Sequence, residues 1–322
     1  MSQNSYENIA CKCTHKFTIG ETEKEKDDRK DSRLNRIGRD VKTFFLIFLF
    51  RYPADIPAIF RTLRRTYLRS GAHSYCEQQF NHQAMEHFHQ KRKSYKCVFL
   101  DLDDTIWDFH TNAKISLKEA FDDMGLGRFA DFDVFFARYA KKNTELWELY
   151  EKNEITKDYL MKERFRYPLE KIGIEDDSLR KELGDAYLRL LPTRTTLMPH
   201  ARELLTYLSE KYPLTIVSNG FVDVQYKKLN HSGISHFFTH FVFSEDAGAL
   251  KPDKKIFEYA LALNKARAED AIMIGDNFEA DIKGAMNAGI DQLFFNPAGK
   301  SIVSNHAPNY AVSSLKSIFE IL

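Results

Sequence analysis

Cys97-Val98-Phe99-Leu100-Asp101-Leu102-Asp103-Asp104-Thr105 decides the reading of this chain. Four apolar residues run straight into acidic ones. A short run of β-branched and aromatic residues reads as a buried parallel strand. Ligand sites in open α/β sheets lie just beyond the carboxyl ends of strands. In an extended chain, positions i and i+2 point the same way, so Asp101 and Asp103 can face one ligand. Two carboxylates 4 Å apart repel by about 4 kcal/mol at an effective dielectric of 20, so a site that keeps both must supply a cation. The competing reading is a strand followed by a solvated acidic turn, with Thr105 as a helix N-cap.

Three more segments share this design. Leu214-Thr215-Ile216-Val217 runs into Ser218-Asn219-Gly220, and Phe241-Val242-Phe243 into Ser244-Glu245-Asp246, with Lys251-Pro252 shortly after. Ala271-Ile272-Met273-Ile274 runs into Gly275-Asp276-Asn277, and Asp281 follows Asp276 by five residues. Each apolar strand ends in small or charged residues and precedes a helical pattern. That alternation predicts an α/β fold, a doubly wound parallel sheet with helices on both faces. Between Asp104 and Ser218, the stretches Ala113 to Met124, Phe132 to Glu151, Lys157 to Ile172 and Ser178 to Leu191 place apolar residues at helical spacing. Gly125, Asn153, Gly173 and Pro192 punctuate them. The expected organisation is a catalytic core from residues 96–112 and 193–322, interrupted by a four-helix insertion over 113–192.

At 322 residues, with 43% hydrophobic and 29% charged, the chain has the composition of an ordinary globular protein with room for more than one domain. Its net charge of +1 hides an asymmetry: residues 1–96 carry 19 Lys+Arg against 11 Asp+Glu, and residues 97–322 carry 28 against 35. An acidic catalytic part argues against a nucleic-acid polymer as partner. Residues 1–95 read as a poorly ordered basic extension. Residues 1–40 are polar and poor in aromatics, and residues 41–69 mix Phe and Leu with Arg61, Arg64, Arg65 and Arg69. A basic helix lying on a membrane is the alternative for that second stretch, and a true start at Met85 is another reading of the whole extension. The longest apolar run, Phe44 to Phe50, is far shorter than the roughly 18 residues of a membrane span, so stable membrane insertion is not expected. Cys11, Cys13, Cys76 and Cys97 form no disulfide framework, which suits a reducing cytoplasm. Cys11-Lys12-Cys13 lacks a second pair for zinc, and His82, His87 and His89 read as solvated.

On these residues the chain resembles the haloacid dehalogenase-like hydrolase superfamily. Asp101-Leu102-Asp103-Asp104-Thr105 is similar to its first motif and Ser218 in Ser-Asn-Gly to its second; Lys251 in Leu-Lys-Pro-Asp matches the third, and Gly275-Asp276-Asn277 with Asp281 the fourth, where Asn277 replaces a more frequent Ser. The helical insertion then corresponds to the superfamily's cap. Within it, Leu146-Trp147-Glu148-Leu149-Tyr150-Glu151, Ile155-Thr156 and Arg164-Phe165-Arg166 resemble the noncanonical pyrimidine nucleotidases, as do Thr105 to Phe109 and Asn219-Gly220-Phe221 to Gln225-Tyr226-Lys227-Lys228-Leu229. Trp147 reads more readily as core than as a substrate contact; Arg164 and Arg166 could meet a phosphate or sugar but read more readily as a solvated helix face.

The resemblance implies a Mg²⁺-dependent phosphatase acting on a small phosphate monoester, a pyrimidine nucleoside 5′-monophosphate, through an aspartyl-phosphate. It makes Asp101 the nucleophile and Asp103 the general acid, then base. Ser218 with the amides of Asn219 and Gly220 would bind phosphoryl oxygens, and Lys251 would balance the carboxylates. Asp101, Asp276 and the backbone carbonyl of Asp103 would hold the metal, with Asp281 holding a metal-bound water or bracing the ligands. Asp103 argues for a phosphatase, since the dehalogenases have no acid there. The alternatives are a phosphatase for sugar phosphates or phosphoglycolate, and a non-catalytic protein that docks through the basic extension; four intact motifs speak against the latter.

Overall fold

The computed structural model describes residues 93–299, 301 and 306–322. The expectations for the extension up to residue 92, Met85, the three amino-terminal cysteines and the histidine cluster all lie outside the described residues.

Six parallel strands form one sheet: β1 (Cys97–Leu100), β2 (Leu214–Ser218), β3 (His240–Phe243), β4 (Ala271–Gly275), β5 (Asp291–Phe295) and β6 (Tyr310–Val312). Their spatial order is β3-β2-β1-β4-β5-β6, so the chain reverses direction of travel on either side of β1. In register, Val98 faces Leu214 on one side and Ile272 on the other. The ends of β1 and β4 are therefore neighbours, as the doubly wound reading requires. The first five strands are nearly continuous apolar runs because both faces of the sheet are covered. Their side chains alternate between two cores. Val98, Leu100, Ile272 and Ile274 join one cluster, and Cys97, Phe99, Ala271 and Met273 the other. Burial pushes the Cys97 thiol up to about 11. The packed chain begins just before β1, where buried Tyr95 donates to Asp291 at 2.7 Å.

Between β1 and β2 lie four long helices: α1 (Phe109–Asp123), α2 (Phe132–Glu151), α3 (Lys157–Glu170) and α4 (Asp177–Leu190). Polar N-caps start them. Asp108, Asp131, Thr156 and Asp176 each accept from a backbone amide of the first turn. The cap of α1 is thus Asp108 rather than Thr105, whose hydroxyl is used elsewhere. An aromatic cluster joins the helices: Tyr139 stacks on Phe165 at 5.6 Å, and its hydroxyl donates to that of Tyr187 at 2.8 Å. After the insertion come α5 (Ala201–Ser209), α6 (Val222–His231), the short α7 (Ser244–Ala247), α8 (Lys254–Leu263), a π-helical turn Phe278–Lys283 and α9 (Gly284–Asn287). Among the described residues no helix is long and apolar enough to cross a membrane.

The insertion leaves and returns beside itself. Trp107 pairs with Leu197, Met198 N–H donates to the Ile106 carbonyl, and the Trp107 indole donates to Ser232 Oγ at 3.1 Å. Ile272→Ala, which removes a fully buried side chain between β1 and β5, is expected to lower unfolding stability by about 2–5 kcal/mol; urea denaturation measures it.

Candidate active site

All the motif residues gather at the carboxyl edge of β1, β2 and β4. The β1–β4 pairing runs one residue past β1, with Asp101 N–H donating to the Ile274 carbonyl at 3.0 Å. That bond sets Asp101 beside the residues that follow β4. Asp101, Asp276 and Asp281 each offer a carboxylate oxygen within 4.8 Å of the others. Asp281 reaches this point from the π-helical turn; its Oδ2 accepts from Asn277 N–H at 3.0 Å. It lies against Gly275, where an added Cβ would stand 2.3 Å from that same oxygen. Asp276 accepts from Thr105 Oγ1 at 3.1 Å.

Lys251, 2% exposed, is the counter-charge. Its Nζ donates to Asp101 Oδ1 and Asp281 Oδ1, both at 2.6 Å, and to the Val217 carbonyl at 2.8 Å. Burial opposes the ammonium charge, but the two carboxylates outweigh it and hold the Lys251 pKa above its usual value. Burial likewise pushes Asp101 up to about 7, with Lys251 working against the rise and Asp281 adding to it. Asp276 is raised well above its ordinary value, first by burial and then by Asp101 and Asp281. Three carboxylates therefore face one ammonium, and Asp276 has no cation of its own among these contacts. Hard oxygen donors in a cluster short of positive charge fit a divalent cation that prefers oxygen.

Asp103 stands apart from this triad. Its Oδ1 accepts from Lys228 Nζ at 2.7 Å, and its Oδ2 accepts from Gln225 Nε2 at 2.9 Å. Both donors come from α6, and both are buried. The Lys228 ammonium also lies 4.6 Å from the Trp107 ring centroid. Gln225 Nε2 donates as well to Ser218 Oγ at 2.8 Å, and Gly220 N–H donates to the same oxygen at 3.1 Å. With both lone pairs of Ser218 Oγ engaged, its hydroxyl proton is left as a donor. Gly220 has to be glycine here, because a Cβ would sit 2.2 Å from Gln225 Nε2. The Asn219 side chain holds the loops together. It accepts from Lys251 N–H at 2.7 Å and donates to the Lys251 carbonyl and to Glu151 Oε1, both at 3.0 Å. Glu151 is the last residue of α2, so the insertion meets the site directly; burial raises its pKa. Lys157 adds a second contact, pairing with Glu245 at 2.7 Å and lying 4.0 Å from the Phe221 ring centroid.

Two expectations for the insertion are corrected. Trp147 is half-buried rather than core, packed on Phe221 at 5.5 Å and Tyr150 at 5.6 Å beside the site. Arg164 is 3% exposed, not solvated, because α3 turns it inward against Phe165 and Tyr187. Arg166 does lie on the solvated face, pairing with Glu163 and Glu170. Reasoning from sequence assigned no role to Gln225, Lys228 or Glu151. The close spacing of Gln225 and Lys228, one turn apart in the helix after β2, is the signal that could have pointed to them.

The chain matches the haloacid dehalogenase-like hydrolase family over residues 95–289. It is 34% identical to YfnB of Bacillus subtilis, named as a HAD-hydrolase, over 71% of this chain and 96% of that protein. A magnesium-bound crystal structure of YfnB superposes with a TM-score of 0.65 at 33% identity, covering 71% of this chain and 99% of that one. The pyrimidine 5′-nucleotidase YjjG of Escherichia coli is 31% identical over 70% of this chain and 96% of its own. A glyceraldehyde 3-phosphate phosphatase of Pyrococcus furiosus is 30% identical over 70% and 92%. With a shared sheet, four motifs meeting at one edge and relatives matched over nearly their whole length, the chain belongs to the haloacid dehalogenase-like hydrolases.

Proposed function

We propose that the protein is a Mg²⁺-dependent 5′-nucleotidase that hydrolyses pyrimidine nucleoside monophosphates through an aspartyl-phosphate on Asp101. The observation that carries the phosphatase part is the Asp101–Asp276–Asp281 triad balanced by Lys251, with Asp103 beside it on separate donors. The magnesium in the YfnB structure supports the choice of ion. The substrate reading rests on two supports: the relatives named as pyrimidine 5′-nucleotidases, and the wall that half-buried Trp147 and Tyr150 make with buried Phe221 next to Asn219. Aromatic faces suit a planar base, whereas a three-carbon sugar phosphate offers no ring to stack.

When bound, the cation would supply Lewis-acid stabilisation of phosphoryl charge from its place among Asp101, Asp276 and Asp281. The chain's own residues do the rest. Lys251 holds Asp101 by Oδ1, orienting the carboxylate that attacks phosphorus. Ser218 donates a hydrogen bond through its free O–H to a phosphoryl oxygen, and Gln225 and Gly220 fix the direction of that hydroxyl. Asp103 first gives a proton to the leaving 5′-oxygen, which requires it to let go of one of its two donors. It then takes a proton from the water that attacks the phosphorylated Asp101; the arrangement described, with both oxygens accepting, suits this second step.

The direct test is a screen in Mg²⁺. Turnover of UMP, CMP and thymidine monophosphate should exceed that of glyceraldehyde 3-phosphate and phosphoglycolate, and Asp101→Asn should abolish all of it. Higher turnover of the small phosphates would transfer the assignment to the sugar-phosphate class.

Metal linkage gives a second expectation. Asp101 rises from 3.8 to about 7 on folding, and Asp276 rises too. A carboxyl raised by folding contributes stability that is complete below its unfolded pKa and lost as pH climbs through the folded one. A cation on those carboxylates relieves that loss. Mg²⁺ should therefore raise Tm more at pH 8 than at pH 5, and Asp276→Asn should remove most of the shift; equal shifts at both pH values would contradict the linkage.

The third concerns Lys228, one of two donors on Asp103. Lys228→Met should lower steady-state turnover by about 10–100-fold, less than the roughly 10²–10⁴-fold that general acid–base catalysis supplies, because Asp103 itself and its second donor remain. After a brief pulse of p-nitrophenyl phosphate and an acid quench, more phosphate should be found on Asp101 in the variant than in the wild type. An unlabelled Asp101 in both would argue against the covalent route.

A further inference from the structure

Arg164 is the most anomalous side chain outside the catalytic cluster. It is 3% exposed, and neither its Nε nor its Nη2 has a hydrogen-bond partner. These two nitrogens form one edge of the guanidinium, the side-on fork that binds paired acceptors. A buried charge left without acceptors is costly. Two cation–π contacts offset part of that cost, the guanidinium carbon lying 4.9 Å from the Phe165 ring centroid and 5.4 Å from that of Tyr187, but neither ring gives the two N–H edges an acceptor. A second buried polar group of the insertion is also unsatisfied. Asn143 is 5% exposed and its Oδ1 has no donor. Asn143 lies one turn after Tyr139 on α2, and Tyr139 stacks on Phe165, the residue next to Arg164.

The helix shows which way these groups are turned. Asn143, Trp147 and Glu151 recur every fourth residue and stay within about 80° of one another around α2, on neighbouring parts of one side. Glu151 touches Asn219 at the phosphoryl end of the site, and Trp147 packs on Phe221. From Glu151 back to Asn143 the helix rises about 12 Å at 1.5 Å per residue. That span suits a nucleoside and is too long for a phosphorylated two- or three-carbon acid.

We infer that Arg164 and Asn143 form the distal end of the leaving-group pocket and read the polar edge of a pyrimidine base, Arg164 donating to its carbonyl or ring-nitrogen acceptor and Asn143 accepting from the neighbouring N–H. This inference rests on the nucleotidase reading and adds the residues that recognise the base. The donors and the acceptor that the protein leaves unused are the complement of an acceptor beside a donor, which uracil, thymine and cytosine all carry and a bare sugar phosphate does not.

The test compares UMP with ribose 5-phosphate, which lacks the base. The wild-type enzyme should favour UMP in kcat/KM by about tenfold or more, the range expected when buried polar groups lose their partners. Arg164→Met and Asn143→Leu should each bring that ratio down toward one, mainly through KM for UMP. Arg164→Lys, which keeps the charge and loses the fork, should fall between. Losses of equal size on both substrates, or a ratio that neither Asn143→Leu nor the Arg164 variants alter, would overturn the inference and leave the nucleotidase reading standing. A wild-type enzyme that hydrolyses ribose 5-phosphate as well as UMP would overturn both. Should Arg164→Met fail to fold, Asn143→Leu and Arg164→Lys still decide the matter.

Discussion

The ammonium of Lys251 between Asp101 and Asp281 is the contact on which the site depends. Without it, buried carboxylates would meet with no positive charge from the chain, and at close range their repulsion rivals a sizeable part of a domain's stability. With it, two carboxylates are held at 2.6 Å from one nitrogen, and Asp276 is left without a cation among these contacts. That unanswered carboxylate is what a divalent cation would balance. Lys251 is itself placed by Asn219, which clamps its backbone through both N–H and carbonyl. One asparagine thus ties the loop after β2 to the loop that carries the lysine, and through Glu151 to the insertion.

The separation of roles follows from the two neighbourhoods. Asp101 is bound to the metal-side cluster, while Asp103, two residues on, is bound to α6 through Gln225 and Lys228. Gln225 connects the two, since the same nitrogen touches Asp103 and Ser218. The residue that would move protons and the residue that would bind phosphoryl oxygen are therefore positioned by one amide. A shift in α6 would disturb both at once.

Much of this was legible in the chain. Four apolar runs ending in Asp, Ser, Glu and Gly-Asp announced both the parallel sheet and its chemical edge, because strand burial and ligand geometry impose the same pattern. The four helices of the insertion were visible through three- and four-residue spacing and the Gly, Asn and Pro residues that punctuate them. What was misread or given no role were buried polar residues on helices. Lys228, Gln225 and Arg164 interrupt the apolar stripe that marks a core-facing side, so periodicity assigns them to solvent. Trp147 erred in the other direction: a large aromatic on a helix is usually core, and only the facing loop at Phe221 shows that it borders the site. The edge strand β6 is three residues long and partly exposed, too short for an alternation to stand out.

Two positions in this site are defined by what they lack. At Gly275 the space of a methyl group belongs to the carboxylate of Asp281, and at Gly220 it belongs to the amide of Gln225. Each glycine and its occupant form a lock of two parts that share one volume. Neither part can drift alone: enlarging the glycine evicts a group that holds charge in the site, and shrinking the occupant leaves a hole beside the reacting centre. Substitutions at these places should therefore be tolerated only in concert, and a library that varies single residues would find them intolerant.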